Sequence, residues 1–284
     1  MAAVLAVFAL ALGTVPAAAQ APRLFYEQDG TGAVVVLIAD WAHDTGSWFR
    51  VLPPLREAGW RLVRYDLRGQ GRSDVPADGD YSLAAHREDV LRLLDGLGIE
   101  RAHLVGTGLG AAIALGFARE HPERSLSVAA IDPQLAWSEA ERGSWGQLLA
   151  AWERVGRPTL GEYTTVLVAR WLGAEFADRN PWVVPWYDLM LRRQSAAALI
   201  ASKRDWLEAV VDVGEEPSEI PALIVAGERW AGAGVLRSPE LAQAFPRAWR
   251  ERLGGSGAQP ALDAPGALAE RLVEFLERVD AEPP

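Results

Sequence analysis

The chain has 284 residues, half of them apolar, and carries 28 Lys plus Arg against 38 Asp plus Glu for a net charge of −10. That apolar content supplies one large buried core and excludes a disordered chain, while an acidic balance without any dense basic run excludes a nucleic-acid backbone as partner. Cysteine is absent, which excludes disulfides and thiolate chemistry.

The first nineteen residues, MAAVLAVFALALGTVPAAA, hold no charged side chain and end in Ala17-Ala18-Ala19 before Gln20. Small residues closing an apolar run form a signal-peptide cleavage pattern, so an exported chain, periplasmic or extracellular, beginning at Gln20 is expected. An uncleaved membrane anchor or a cytoplasmic chain with a mis-assigned start are the alternatives. Gly13 and Pro16 interrupt the run and favour a removed leader over a spanning helix.

Residues 24–27 read as a short edge strand, closed by the turn Asp29-Gly30-Thr31-Gly32. Residues 33–39, AVVVLIA, form a continuous β-branched apolar run, which suits a central parallel strand covered on both faces. A helix is expected over 47–58, a strand over 61–66, and then the loop DLRGQGRSD at 66–74. In segment 83–97, Leu83, Val90, Leu94 and Leu97 share one helical face, and Arg87, Glu88 and Asp89 are expected on the other, solvated side.

Residues 102–106 read as a strand that enters a glycine turn, Gly106-Thr107-Gly108-Leu109-Gly110, and then a helix of small residues ending near His121-Pro122. A buried strand at 126–131 ends at Asp132. From 133 to about 220 the pattern becomes helical without strands, with breaks at Gly156-Arg157-Pro158 and Asn180-Pro181. Seven of the twelve tryptophans fall there: Trp137, Trp145, Trp152, Trp171, Trp182, Trp186 and Trp206. Strand and helix alternation resumes with a strand at 222–226, a helix at 239–245, a strand at 249–253 and a closing helix at about 267–279. Alternation of this kind predicts an α/β fold with a mostly parallel central sheet, helices on both faces and a helical insertion. The expected division is a signal peptide at 1–19, core segments at 20–132 and 221–284, and a helical lid at 133–220.

The loop at 66–74, the strand, turn and helix at 102–121, and PALIVAGER at 221–229 occur in an order and spacing that resembles the α/β-hydrolase superfamily, in its lidded esterase, lactonase and haloperoxidase-like branch. The resemblance covers roughly 23–280. It implies a G-x-S-x-G elbow that lifts a nucleophile above the sheet, a late histidine base, an acid that orients it, and backbone amides for the oxyanion. Here the nucleophile position is Gly108, which also excludes the dehalogenase variant with an aspartate there. The acid position after the strand is Trp230, and the base position in Gly255-Ser256-Gly257-Ala258 is Ala258. No histidine follows His121; of the four, His43 reads as a loop residue, His86 as a surface helix residue, His103 as a strand-start residue and His121 as a helix-end residue, and His43 alone is placed to approach the pocket. Asp132, where some members keep the acid, has the plainer reading of a loop or helix cap before Pro133.

The oxyanion donors implied by the resemblance are the amides of Trp41 and Leu109. Asp40, beside them, either occupies those donors or pairs with an arginine such as Arg68 or Arg72, and the pairing is the reading at least as favoured. Trp41, Trp48 and Trp230, with Asp40 and Asp132, are the candidate pocket residues. The leading expectation is a noncatalytic member that binds an apolar or aromatic small molecule, or a protein partner through the lid, without cofactor or metal. The competing expectations are a hydrolase using Thr107 or Ser256 with Asp132, which lacks a base, and a structural subunit of an exported assembly with a broad exposed apolar face. A membrane role enters only if the N-terminal segment is retained.

Overall fold

A computed structural model describes residues 21–154 and 160–281; the leader expected at 1–19 and the helix break expected at 156–158 lie outside these residues. Among the described residues no helix is long and apolar enough to cross a membrane.

Among the described residues, seven strands form one sheet: β1 (Tyr26–Asp29), β2 (Val34–Ile38), β3 (Arg61–Tyr65), β4 (Ala102–Thr107), β5 (Ser125–Ile131), β6 (Ala222–Gly227) and β7 (Trp249–Leu253), in the order β1-β3-β2-β4-β5-β6-β7. All neighbouring pairs are parallel except β1 with β3, where Tyr26 faces Tyr65 in antiparallel register. Every residue of β2, β4 and β6 is buried, as two covered faces require.

The helices before the insertion are α1 (Leu52–Glu57), α2 (Leu83–Gly96) and α3 (Leu109–Glu120). The single helix expected from residue 47 is instead a 3₁₀ turn at Thr45–Trp48, whose cap Asp44 accepts from Gly46 N–H at 2.8 Å, followed by α1. Pro53 and Pro54 sit in the first turn of α1, where a missing N–H loses no helical bond. Ser82 caps α2 by accepting from Ala85 N–H.

On α2, His86 and Asp89 are buried, contrary to the solvated side expected for Asp89 and the surface position expected for His86. Arg68 is the reason for Asp89: its Nε and Nη2 bond both carboxylate oxygens at 2.6 and 2.8 Å, and Arg92 adds a further contact. A bidentate partner makes a buried carboxylate tenable, which hydrophobic periodicity does not register. Arg68 is thereby committed away from Asp40.

Among the described residues, five helices lie between β5 and β6, α4 (Glu139–Arg154), α5 (Leu160–Leu172), α6 (Ala174–Arg179), α7 (Val183–Arg192) and α8 (Ala196–Glu208), with the break at Asn180-Pro181 falling between α6 and α7. The chain closes with α9 (Pro239–Ala244), α10 (Pro260–Asp263) and α11 (Pro265–Ala281). One apolar cluster joins α2, α3 and the inserted helices to one sheet face, and a second joins α1 and α11 to the other.

Candidate functional site

The site lies where β2, β4, β5 and β6 reach their carboxyl ends, the position at which an open α/β sheet leaves a crevice. Gly108 follows β4 with φ +51° and ψ −112°, a conformation that strains any residue with a Cβ. Close packing sets the next glycine: a Cβ on Gly110 would fall 2.6 Å from Ala39 O and nearer still to Ile38 O, so α3 could not approach β2. The turn is therefore held by backbone contacts.

Gly108, Trp230 and Ala258, far apart in sequence, line one cavity of about 30 Å³ with Asp40, Trp41 and Asp132. Trp48 does not: it belongs with Val51 and Leu55 to the apolar cluster on the α1 and α11 face. Trp137, Trp145, Trp171 and Trp206 of the inserted segment complete the lining of the cavity. Trp152 stacks on Trp41 at 6.0 Å between centroids, and Trp145 meets Trp41 edge-on at 5.5 Å.

Asp40 sits at the centre. Its Oδ1 accepts from Trp41 N–H at 2.7 Å and Leu109 N–H at 2.8 Å, and its Oδ2 accepts from Gln259 Nε2 at 2.9 Å. The two amides expected to serve an oxyanion thus serve a side-chain carboxylate. Pairing of Asp40 with Arg68 or Arg72 is not found: Arg68 holds Asp89, and Arg72 lies 3.6 Å from both Asp66 and Glu27. A Cβ built on Gly108 would stand 2.5 Å from Asp40 Oδ2 and closer to Cγ and Oδ1. The carboxylate fills the space that a side chain at position 108 would need.

Asp132 caps no helix. It has φ +46°, its Oδ1 accepts from Gly227 N–H at 3.0 Å, and its buried Oδ2 has no hydrogen-bond partner among the described residues. Burial, reinforced by the neighbouring charges of Asp263 and Asp40 and opposed by the Gly227 bond, raises its pKa well above the usual carboxylate range. His43 is buried outside the cavity lining. Its Nδ1 is 2.9 Å from Trp41 O, an acceptor only, so Nδ1 carries the proton and Nε2 accepts from Tyr187 O–H at 2.9 Å. Burial lowers its pKa despite the nearby Asp40. Ser256 donates to Asp263 Oδ1 at 2.5 Å, and Asp263 also receives Gly257 N–H, which ties the loop before Ala258.

A family model for the alpha/beta hydrolase fold matches residues 33–178. The chain belongs to the α/β-hydrolase fold family. A 2-hydroxy-6-oxo-6-phenylhexa-2,4-dienoate hydrolase of Comamonas testosteroni is 38% identical over 104 residues, 36% of each chain. The matched stretch thus spans about a third of that relative's length. Over nearly the whole hydrolase-fold core, the enol-lactonase of Burkholderia xenovorans LB400 superposes with a TM-score of 0.81 at 23% identity, covering 92% of this chain and 99% of that one. An esterase from Thermogutta terrifontis superposes at 0.78 with 23% identity over 91% and 94%. These likenesses extend the fold through the inserted helices.

Sequence reasoning missed two members of this hydrolase-fold site. Gln259, next to Ala258, supplies the third donor to Asp40. Lys203 on α8 lines the cavity and is 1% exposed. The available signal for Lys203 was its singularity: it is the only lysine in the chain, every other basic side chain being arginine.

Proposed function

We propose that this chain is a noncatalytic α/β-hydrolase-fold protein that acts as a binding module, its former catalytic centre converted to a small tryptophan-walled cavity. The observation that carries the reading is the Asp40 carboxylate on the Trp41 and Leu109 amides. Acyl transfer needs those donors free for the charge that develops on the substrate oxygen, and here a negative group already holds them. Position 108 offers no nucleophile and position 258 no base, and Ser256 is committed to Asp263. A ligand-binding role is favoured over docking through the inserted helices because Trp137, Trp145, Trp152, Trp171 and Trp206 are buried inward, whereas Trp182 is exposed.

The test is turnover of an activated aryl ester by the purified chain against a matched protein control. Loss of a serine nucleophile or its histidine costs about 10⁶-fold in a triad enzyme, so no rate above the control is expected. Turnover that survives repurification, shows a burst and is abolished by one substitution in this cavity would overturn the proposal.

A further inference from the structure

Lys203 Nζ lies 3.9 Å from the ring centroid of Trp206, 4.0 Å from Trp145, 4.1 Å from Trp137 and 5.0 Å from Trp41. All four rings and Lys203 line the cavity that also holds Asp40 and Asp132. This group was absorbed by neither the fold nor the hydrolase comparison: an amine, a carboxyl oxygen without a partner among the described residues, and a box of π faces share one space lined largely by buried side chains.

We propose that Lys203 is an amine nucleophile that captures a small neutral aldehyde as a Schiff base, with Asp132 as proton donor and the tryptophan box holding the resulting cation. The inference rests on the binding-module reading and names its ligand class. Burial shifts each group toward the form the reaction needs. Burial lowers the Lys203 pKa well below that of an ordinary lysine; Asp40 and Glu141 oppose the shift and Arg170 adds to it. Burial likewise favours the protonated form of Asp132. Asp40 takes no part, since both its oxygens are engaged.

The Nζ lone pair attacks the carbonyl carbon and the C=O π pair moves to oxygen. A proton passes from nitrogen to that oxygen, giving a carbinolamine. The nitrogen lone pair then expels the hydroxyl, which takes the Asp132 proton and leaves as water. Lysine amine, aldehyde and carboxylic acid thus become protonated imine, water and carboxylate, with no change in electron count. The iminium keeps a positive charge among four indole faces, which favour a cation, and the new Asp132 carboxylate balances it. Two carboxyl groups in the lining disfavour a ligand acid, and a space of about 30 Å³ admits a carbonyl compound of a few heavy atoms.

The experiment is reductive trapping on the full chain at pH 7 with acetaldehyde and cyanoborohydride, in the same tube as a peptide with one exposed lysine, read by peptide mass mapping. An exposed lysine, with a pKa of about 10.4, is almost wholly protonated there. Lys203 is expected to be alkylated at least tenfold faster than the peptide lysine, to lose that advantage when the chain is unfolded in denaturant, and to slow at least tenfold in Asp132→Asn. Labelling of Lys203 in the folded chain at or below the peptide rate would overturn the proposal and make the lysine a charged plug of the tryptophan box. An unchanged rate in folded Asp132→Asn would remove Asp132 from the mechanism. The ester assay is independent: a chain that turns over esters yet traps aldehyde at Lys203 refutes the noncatalytic reading alone, and one that does neither refutes the Schiff-base inference alone.

Discussion

Adding a methyl group at Gly108 probes the central contact of the site directly. The substitution Gly108→Ala imposes two costs that a double-mutant cycle separates. The first is conformational: a residue with a Cβ at φ +51° and ψ −112° carries about 1–3 kcal/mol of strain wherever Asp40 stands. The second is steric: the methyl would occupy the space of the Asp40 carboxyl group, which must leave the Trp41, Leu109 and Gln259 donors. Hydrogen bonds to a charged group contribute about 1.5–3 kcal/mol each, and a displaced carboxylate recovers part of that from water, so about 2 kcal/mol is expected for this part. In the parent, Gly108→Ala should therefore cost about 3–5 kcal/mol, a fall of roughly 5–8 °C in Tm for a chain of this size. In an Asp40→Ala background only the strain remains. Denaturant unfolding of the four proteins should give a coupling energy of about 2 kcal/mol. Additivity within about 0.5 kcal/mol would show that Asp40 does not occupy the nucleophile's space and would refute the reasoning.

The same contact governs any attempt to rebuild a hydrolase: Gly108→Ser with Ala258→His should stay inactive on aryl esters while Asp40 is present, and only versions that also carry Asp40→Gly have the oxyanion donors free, as a side-by-side ester assay will report. Arg68→Met should destabilise by about 3–5 kcal/mol in denaturant unfolding, because it strips the bidentate partner from the fully buried Asp89 carboxylate and leaves it to Arg92 alone. His86, disfavoured as a cation chiefly by burial and further by Arg68 against an opposing effect of Asp80, has its pKa pushed down to about 3 against an ordinary 6.5. The unfolded chain binds the extra proton between those values, so this histidine's contribution is intact above pH 6.5 and falls as pH drops toward 3, by about 1.4 kcal/mol per pH unit well inside the window. The buried carboxyls of Asp66, Asp89, Asp132 and Asp263, whose pKa values are raised, act in the opposite sense. The measurement is therefore the difference between parent and His86→Leu, whose stability gap should narrow or reverse from pH 7 to pH 5. A gap independent of pH would contradict a neutral buried His86.

Sequence alone determined the sheet and the positions of the site loops. Apolar runs at β2, β4 and β6 can be read without coordinates because a strand covered on both faces admits little else, and the glycines at 106 and 110 announce a backbone crossing too close for side chains. Those local constraints were enough to bring Gly108, Trp230 and Ala258 to one cavity. What the sequence left open was which partner each polar group takes. Asp40 had two candidate fates, and the choice fell to Arg68 being claimed by Asp89 through a contact between a loop and a helix face that no periodicity encodes. Asp132 passed for a loop residue or a helix cap, of which only the loop holds, Trp48 for a pocket wall, and His86 for a surface residue, because direction depends on how the backbone is oriented in three dimensions. Lys203 needed the tertiary structure most. Its four aromatic neighbours come from the loop after β2, the segment before α4, α4 itself and α8, and the energy that makes its position distinctive, loss of water around an amine, exists only once those segments close over it.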